Sequence, residues 1–219
     1  MIVTIDGPAG SGKSTAARGL AQRLGFQFLD TGAMYRVVAY VCLAKDIDVD
    51  NQPAVAEAAR RLHFSSRGGR IFADGTDVTE RIRTQEVTRA ASVVASNPGV
   101  RGVLGTLQRK LAEGHDVVTE GRDQGTVVFP DAECKFYLTA APHERAERRR
   151  QEMDAGSAPL EDILAQLRER DERDRTRSVA PLKRAHDAIV VDTSLMNVTE
   201  VLDLLEAKVR ERMPNEDRR

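Results

Sequence analysis

The chain has 219 residues, 41% of them hydrophobic and only 4% aromatic, which suits one aliphatic-packed domain over residues 1–219 and excludes two large independent ones. Lysine and arginine total 33 against 34 for aspartate and glutamate, so a net charge of −1 gives no global attraction to nucleic acid or to an acidic membrane surface. Any polyanion site must therefore be local, and arginine, which supplies 27 of the 33 cations, suits planar, bidentate phosphate recognition as well as it suits a genome bias.

Met1 leads directly into the strand-like Ile2-Val3-Thr4-Ile5, with no basic region, apolar signal core or cleavage site. No apolar run nears the roughly 20 residues that span a bilayer, so a cytoplasmic protein with neither membrane nor nucleic-acid partner is expected. Cys42 and Cys134 lack zinc spacing and read as buried thiols of a reducing compartment. Short apolar runs at 2–5, 26–29, 117–119, 134–138 and 188–191 alternate with segments of helical period at 13–24, 33–44, 84–96, 100–112, 142–153, 160–177 and 198–213. That alternation predicts an α/β fold with a core parallel sheet covered by helices. Between 53 and 83 the rhythm changes. Short strands at 62–65 and 70–72 flank the Arg67-Gly68-Gly69 turn, and Asp74-Gly75 turns again, which predicts a small antiparallel insertion. The polar tail at 214–219 has no evident role.

The strongest local signal is Gly7-Pro8-Ala9-Gly10-Ser11-Gly12-Lys13-Ser14, a full G-x-x-x-x-G-K-[ST] motif between a strand and a helix. Glycines let the backbone curl so that successive N–H groups point at phosphate oxygens, and the helix beginning near Lys13 adds its positive end. Lys13 is expected to bridge the β- and γ-phosphates from a solvent-facing loop, with the Ser14 hydroxyl on Mg²⁺. Switches, motors, transporters and kinases share this loop, so it names no reaction. A guanine-reading Asn-Lys-x-Asp run, expected of a GTP switch, is absent from the sequence, and a nucleic-acid motor would need a basic track that a near-neutral chain lacks.

A second signal lies in Glu169-Arg170-Asp171-Glu172-Arg173-Asp174-Arg175-Thr176-Arg177. Arg170, Asp174 and Arg177 stand at i, i+4 and i+7, on one helical stripe. Two guanidiniums flanking a carboxylate suit a sugar hydroxyl beside a phosphate; a solvated ladder of ion pairs is the plainer alternative. Three further segments favour the binding site. Asp30-Thr31-Gly32-Ala33-Met34-Tyr35-Arg36 and Glu120-Gly121-Arg122-Asp123 each follow a strand, where open α/β sheets bind ligands. Ser92 and Arg101 flank the Asn97-Pro98-Gly99 break between two helices. His63, His115, His143 and His186 have no consistent motif neighbours, and no catalytic histidine is assigned.

With these runs in view, the chain resembles the bacterial cytidylate kinases over nearly its whole length. The resemblance is carried by the stretch from Thr4 to Ser14, by Asp30 to Arg36, by Ile82-Arg83-Thr84-Gln85-Glu86-Val87, by Gly121-Arg122-Asp123 with the following 125–132, and by 170–177 with Ala180-Pro181-Leu182. Gln124 departs from the family pattern, standing where an apolar residue is usual. The resemblance implies a P-loop three-layer fold and transfer of the γ-phosphoryl group of ATP to CMP or dCMP by a monomer. Under it, Gly7, Pro8, Ala9, Gly10, Ser11, Gly12, Lys13, Ser14 and Thr15 hold ATP. Arg36, Arg122 and Arg177 clamp the acceptor phosphate, Ser92, Arg101 and Asp123 read cytosine, Arg170 and Asp174 hold the ribose, and Thr31 is a further acceptor contact. It also implies that residues 53–95 form a monophosphate-binding insertion and 148–158 a lid. A kinase of UMP or of another small phosphorylated acceptor, and a nucleotide-binding regulatory switch, are the rival readings.

Overall fold

The computed structural model describes residues 1–152 and 158–213. Its chain divides into two compact units, one comprising Met1–Leu29 with Ala112–Arg219 and the other Asp30–Leu111. Residues 153–157, within the expected lid, and 214–219 lie outside the described residues.

In the first unit, strands β1 (Ile2–Asp6), β2 (Gln27–Asp30), β6 (Val117–Gly121), β7 (Cys134–Thr139) and β8 (Ile189–Asp192) form a five-stranded sheet in the order β2-β6-β1-β7-β8. β1 runs parallel to both β6 and β7, and β7 parallel to β8. Val3 is level with Val118 and Cys134, and Thr4 with Thr119 and Lys135, so the two faces differ in character. Val3, Ile5, Val118, Phe136 and Leu138 join Ala16, Ala17 and Leu20 of α1 (Lys13–Leu24) and Val201, Leu205 and Val209 of α8 (Val198–Arg210) in one apolar core. On the polar face, a π-helical turn at Gln124–Val128 covers Thr4, Asp6 and Thr119. Gln124 belongs to that face. Its buried side-chain carbonyl accepts from Thr119 Oγ1 at 3.0 Å, which accounts for an amide where an apolar residue was the expectation. Helices α6 (Pro142–Gln151) and α7 (Leu160–Thr176) pack through Ala146, Ile163 and Leu167 onto Ala9.

The second unit holds α2 (Thr31–Ala44), α3 (Gln52–Arg61), the antiparallel β3 (Phe64–Arg67), β4 (Arg70–Ala73) and β5 (Thr76–Asp77), a 3₁₀ turn at Arg81–Arg83, α4 (Gln85–Val94) and α5 (Pro98–Ala112). Arg67 pairs with Arg70 across Gly68 and Gly69, whose φ values of 57° and 75° are those of a type I′ hairpin. Helix α3 went unread in the sequence. Its signals are local: Asn51 caps the Ala54 N–H, Pro53 sits in the first turn, and Glu57 pairs with Arg60 and Arg61. Its buried stripe, Val55, Ala56 and Ala59, is mostly alanine and gives little apolar contrast.

Candidate active site

Parallel pairing sets the geometry. Asp6, the last residue of β1, is level with Gly121, the last of β6, so the loop starting at Gly7 and the Arg122-Asp123 segment leave the same sheet edge side by side. Gly7 has φ 149°, and a Cβ there would stand 2.0 Å from the Leu138 carbonyl oxygen, so no side chain fits. Gly10, at φ 74°, backs onto Arg145, and Gly12, also left-handed, caps the N-terminus of α1.

Two buried charges that sequence reading missed hold this loop from behind. Asp171 of α7 accepts the Ala9 N–H at 3.0 Å and pairs with Arg145 of α6, which itself donates to the Ala9 carbonyl at 2.9 Å. Asp171 is 2% exposed and Arg145 5%, so their charges rest on each other and on loop backbone, not on water. Ser11 Oγ donates to the Pro8 carbonyl at 3.1 Å, closing the loop within itself.

Lys13 is not on a solvent-facing loop, as the sequence suggested. It is the first residue of α1 and only 5% exposed, because its chain folds back across the loop and donates from Nζ to the Pro8 carbonyl and to Ser11 Oγ. Burial pushes its ammonium down to about 7; the Arg122 cation adds to that and Glu120 opposes it. An incoming polyanion reverses the balance and favours the charged form.

Beside the loop stands a cluster of guanidiniums and carboxylates. Arg122 Nε donates to Asp174 Oδ2 at 2.7 Å, Arg177 lies 3.6 Å from Asp174 and 3.8 Å from Asp123, and Asp123 and Asp174 are buried. Burial alone would raise the Asp174 carboxyl, but Arg122, Arg170 and Arg177 outweigh it and hold the pKa below the ordinary aspartate range. The same exchange raises Arg122, where Asp174 and Glu120 overcome desolvation. Arg177 lies just past the helix, as the C-cap of α7, and its Nε donates to the Ala180 carbonyl at 2.7 Å. The stripe is thus a buried network and not a solvated ladder, although Arg173 and Glu169 on the same helix do form an exposed i,i+4 pair.

Asp6 anchors the cluster's connecting turn. Its two oxygens accept the N–H groups of Gln124 and Gly125 at 2.9 and 2.8 Å. Burial pushes its carboxyl up to about 7 against those two hydrogen bonds, with Asp123 adding to the rise.

Within the second unit, Asp30 caps α2 by accepting the Ala33 N–H at 2.8 Å and stands 3.5 Å from Arg36 NH2, while Arg36 Nε is buried without a hydrogen-bond partner. Thr31, Ser92 and Arg101 are buried. Arg101 donates to the Ala95 carbonyl at 3.1 Å and lies over the Tyr35 ring, 5.6 Å from its centroid.

For a metal, the described residues hold no group of three or more His, Cys, Asp or Glu side chains. The exposed Ser14 hydroxyl, in the first turn of α1, is an oxygen donor that fits Mg²⁺ held mostly by phosphate oxygens and water. No helix of the described residues is long and apolar enough to cross a membrane.

Known proteins match this chain along its length. A cytidylate kinase from Mycobacterium leprae is 49% identical over 215 residues, covering 97% of this chain and 96% of the relative. One from Rhodopirellula baltica is 46% identical over 213 residues, covering 96% and 93%. The solved shikimate kinase of Bacteroides thetaiotaomicron superposes with a TM-score of 0.50 at 12% identity, over 95% of this chain and 98% of that one, a likeness of fold. The family model for cytidylate kinase matches residues 3–211, a span that takes in the loop, the sheet and the arginine cluster, and the chain belongs to the cytidylate kinase family.

Proposed function

We propose that the protein transfers the γ-phosphoryl group of ATP to CMP or dCMP, giving ADP and CDP or dCDP. The observation that carries this reading is the pairing, at one sheet edge, of a phosphate-binding loop containing a buried lysine with a second site of arginines around Asp174. One anion site suffices for a switch; two side by side suit phosphate-to-phosphate transfer.

Phosphoryl transfer asks little covalent chemistry of a protein and much positioning. The loop from Gly7 to Thr15 binds the ATP phosphates through backbone N–H groups, and Lys13, once charged, neutralises the oxygens on which negative charge grows. Mg²⁺, which Ser14 would help to hold, would supply further neutralisation of the donor phosphates. Arg36, Arg122 and Arg177 bind the acceptor phosphate. Its attacking oxygen is already anionic, so no side chain has to remove a proton. Asp123, with Ser92 and Arg101, reads the cytosine edge, where a carboxylate accepts from the N4 amino group. Asp174, with Arg170 as support, holds the sugar, and Thr31 is a further acceptor contact. Residues 53–95 act as the monophosphate-binding insertion and 148–158 as a lid that bars water. The enzyme works as a cytoplasmic monomer.

The test is ADP formation from ATP across CMP, dCMP, UMP, AMP and GMP. CMP and dCMP should lead in kcat/KM. Equal turnover of UMP points instead to a general pyrimidine or other small-acceptor kinase, and failure with every acceptor to a regulatory switch.

A further inference from the structure

On the polar side of the first unit's sheet lies a cavity of about 370 Å³. Its lining is apolar where Val127, Pro130, Pro181 and Ala185 meet, and Val127 is 49% exposed. Two exposed cations, Lys183 and Arg184, also line it, and neither has an ion-pair or hydrogen-bond partner among the described residues. The third, Lys135, is different: it is engaged by the Pro130 carbonyl and by Asp187 at 2.8 Å. Thr126, also in the lining, has a hydroxyl without a hydrogen-bond partner. Inorganic phosphate would leave the apolar lining uncovered, and a neutral apolar molecule would leave both cations unmatched. The two features together suit one ligand class, a compact apolar body carrying an anionic group.

Both walls are tied to the arginine cluster. One is the turn that begins at Asp123, held by Asp6 through the Gly125 N–H. The other hangs from the end of α7, where the Leu182 N–H donates to the Asp174 carbonyl at 2.7 Å and the Ala180 carbonyl receives Arg177 Nε. Ala180 sits at φ 48°, a conformation that an alanine adopts only when its surroundings hold it there. A ligand that draws Lys183 and Arg184 together pulls on the segment that positions Arg177.

We propose that this cavity is a second binding site, taking a small amphipathic anion of nucleoside size that bears a phosphate or carboxylate group, and that its occupancy modulates the acceptor site. Binding stands on the cavity alone; modulation rests on the kinase reading given above. The probe is 8-anilinonaphthalene-1-sulfonate, an aromatic body with one anionic group, followed by its fluorescence with the native protein and with Lys183→Glu/Arg184→Glu. Both positions are exposed and outside the catalytic machinery, so turnover without the probe should be unchanged. The double variant should bind the probe about tenfold more weakly or worse. Equal affinity in the two proteins overturns the site, and Val127→Asp, which spoils the apolar lining alone, must weaken the probe as well. Displacement by CTP identifies a nucleotide as the natural class, and displacement by laurate identifies a fatty carboxylate. The probe should also shift KM for CMP at least twofold in the native enzyme and not in the double variant. A binding difference without that shift overturns the modulation. An enzyme inactive toward every acceptor fails the kinase reading instead and leaves the fluorescence result standing.

Discussion

Replacing Asp171 by alanine tests how the phosphate loop is held. The substitution removes both the partner of buried Arg145 and the acceptor of the Ala9 N–H. Breaking a buried ion pair from one side costs about 3–5 kcal/mol, because the remaining charge keeps its desolvation penalty. Arg145 retains the Ala140 and Ala9 carbonyls as acceptors, which places the expectation near the lower end, about 3 kcal/mol. Against a typical stability of about 5–15 kcal/mol, the variant should still fold. Urea unfolding measures the loss directly. Kinetics supply the second reading: with the Ala9 amide released, KM for ATP should rise while KM for CMP stays. Asp171→Asn keeps an oxygen for the Ala9 N–H and loses only the charge, so it should recover donor affinity better than it recovers stability. An alanine variant within about 0.5 kcal/mol of the parent, the range of an ordinary surface substitution, with KM for ATP unmoved, would refute the claim that these helices brace the loop.

Lys13→Met should lower kcat by about a hundredfold or more, with urea stability equal to or above the parent's, because a buried ammonium pushed down to about 7 weakens the fold until phosphate arrives; near-normal turnover would remove Lys13 from the mechanism. Asp123→Ala should cut the CMP-to-UMP preference by roughly tenfold to a hundredfold, the effect of about 1–3 kcal/mol from one buried polar mismatch, and a ratio left intact would move cytosine reading to Ser92 and Arg101. For Asp6, burial raises the folded pKa to about 7 from the ordinary 3.8, so the folded state binds the proton more tightly. Its contribution to stability is full below about pH 4 and is lost as pH rises through 7, by up to about 1.4 kcal/mol per pH unit. Urea unfolding of native protein and Asp6→Asn between pH 4.5 and 7 should show that slope in the native protein only; parallel profiles would contradict it.

The fold was legible wherever local chemistry and tertiary burial point the same way. Helix α1 runs from Lys13 to Leu24, as its periodicity predicts, because Gly12 and Gly25 bracket a stripe of alanines and leucines. The five strands appear where the apolar runs stand, β2 and β8 shifted by one residue and the other three running one or two residues further, so that β1 and β6 reach Asp6 and Gly121. Those last residues are polar or small, as suits the sheet edge where the candidate site lies, so the apolar signal stops short of that end. The loss of helix α3 has the opposite origin, a buried face of alanines too small to announce itself.

Legibility of the site stopped at the choice among like charges. In the run from Glu169 to Arg177, four of the nine residues are acidic and four are arginine, so composition ranks none of them above another. Helical phase separates them. Arg170 and Asp174 stand at i and i+4 on α7, and Arg177, the C-cap beyond its last turn, lies 3.6 Å from Asp174. Asp171, one step from Arg170, was invisible because its partners, Arg145 and the Ala9 amide, lie 26 and 162 residues away. Asp171 and Asp174 are one helical turn apart, both nearly fully buried, and face different neighbours: one braces the phosphate loop, the other gathers Arg122 and Arg177. Helix α7 is therefore the common support of the loop and of the arginine cluster proposed to bind the acceptor, and a substitution that rotates or shortens it should disturb donor and acceptor affinity together. Changes confined to Asp171 or Asp174 should disturb them one at a time.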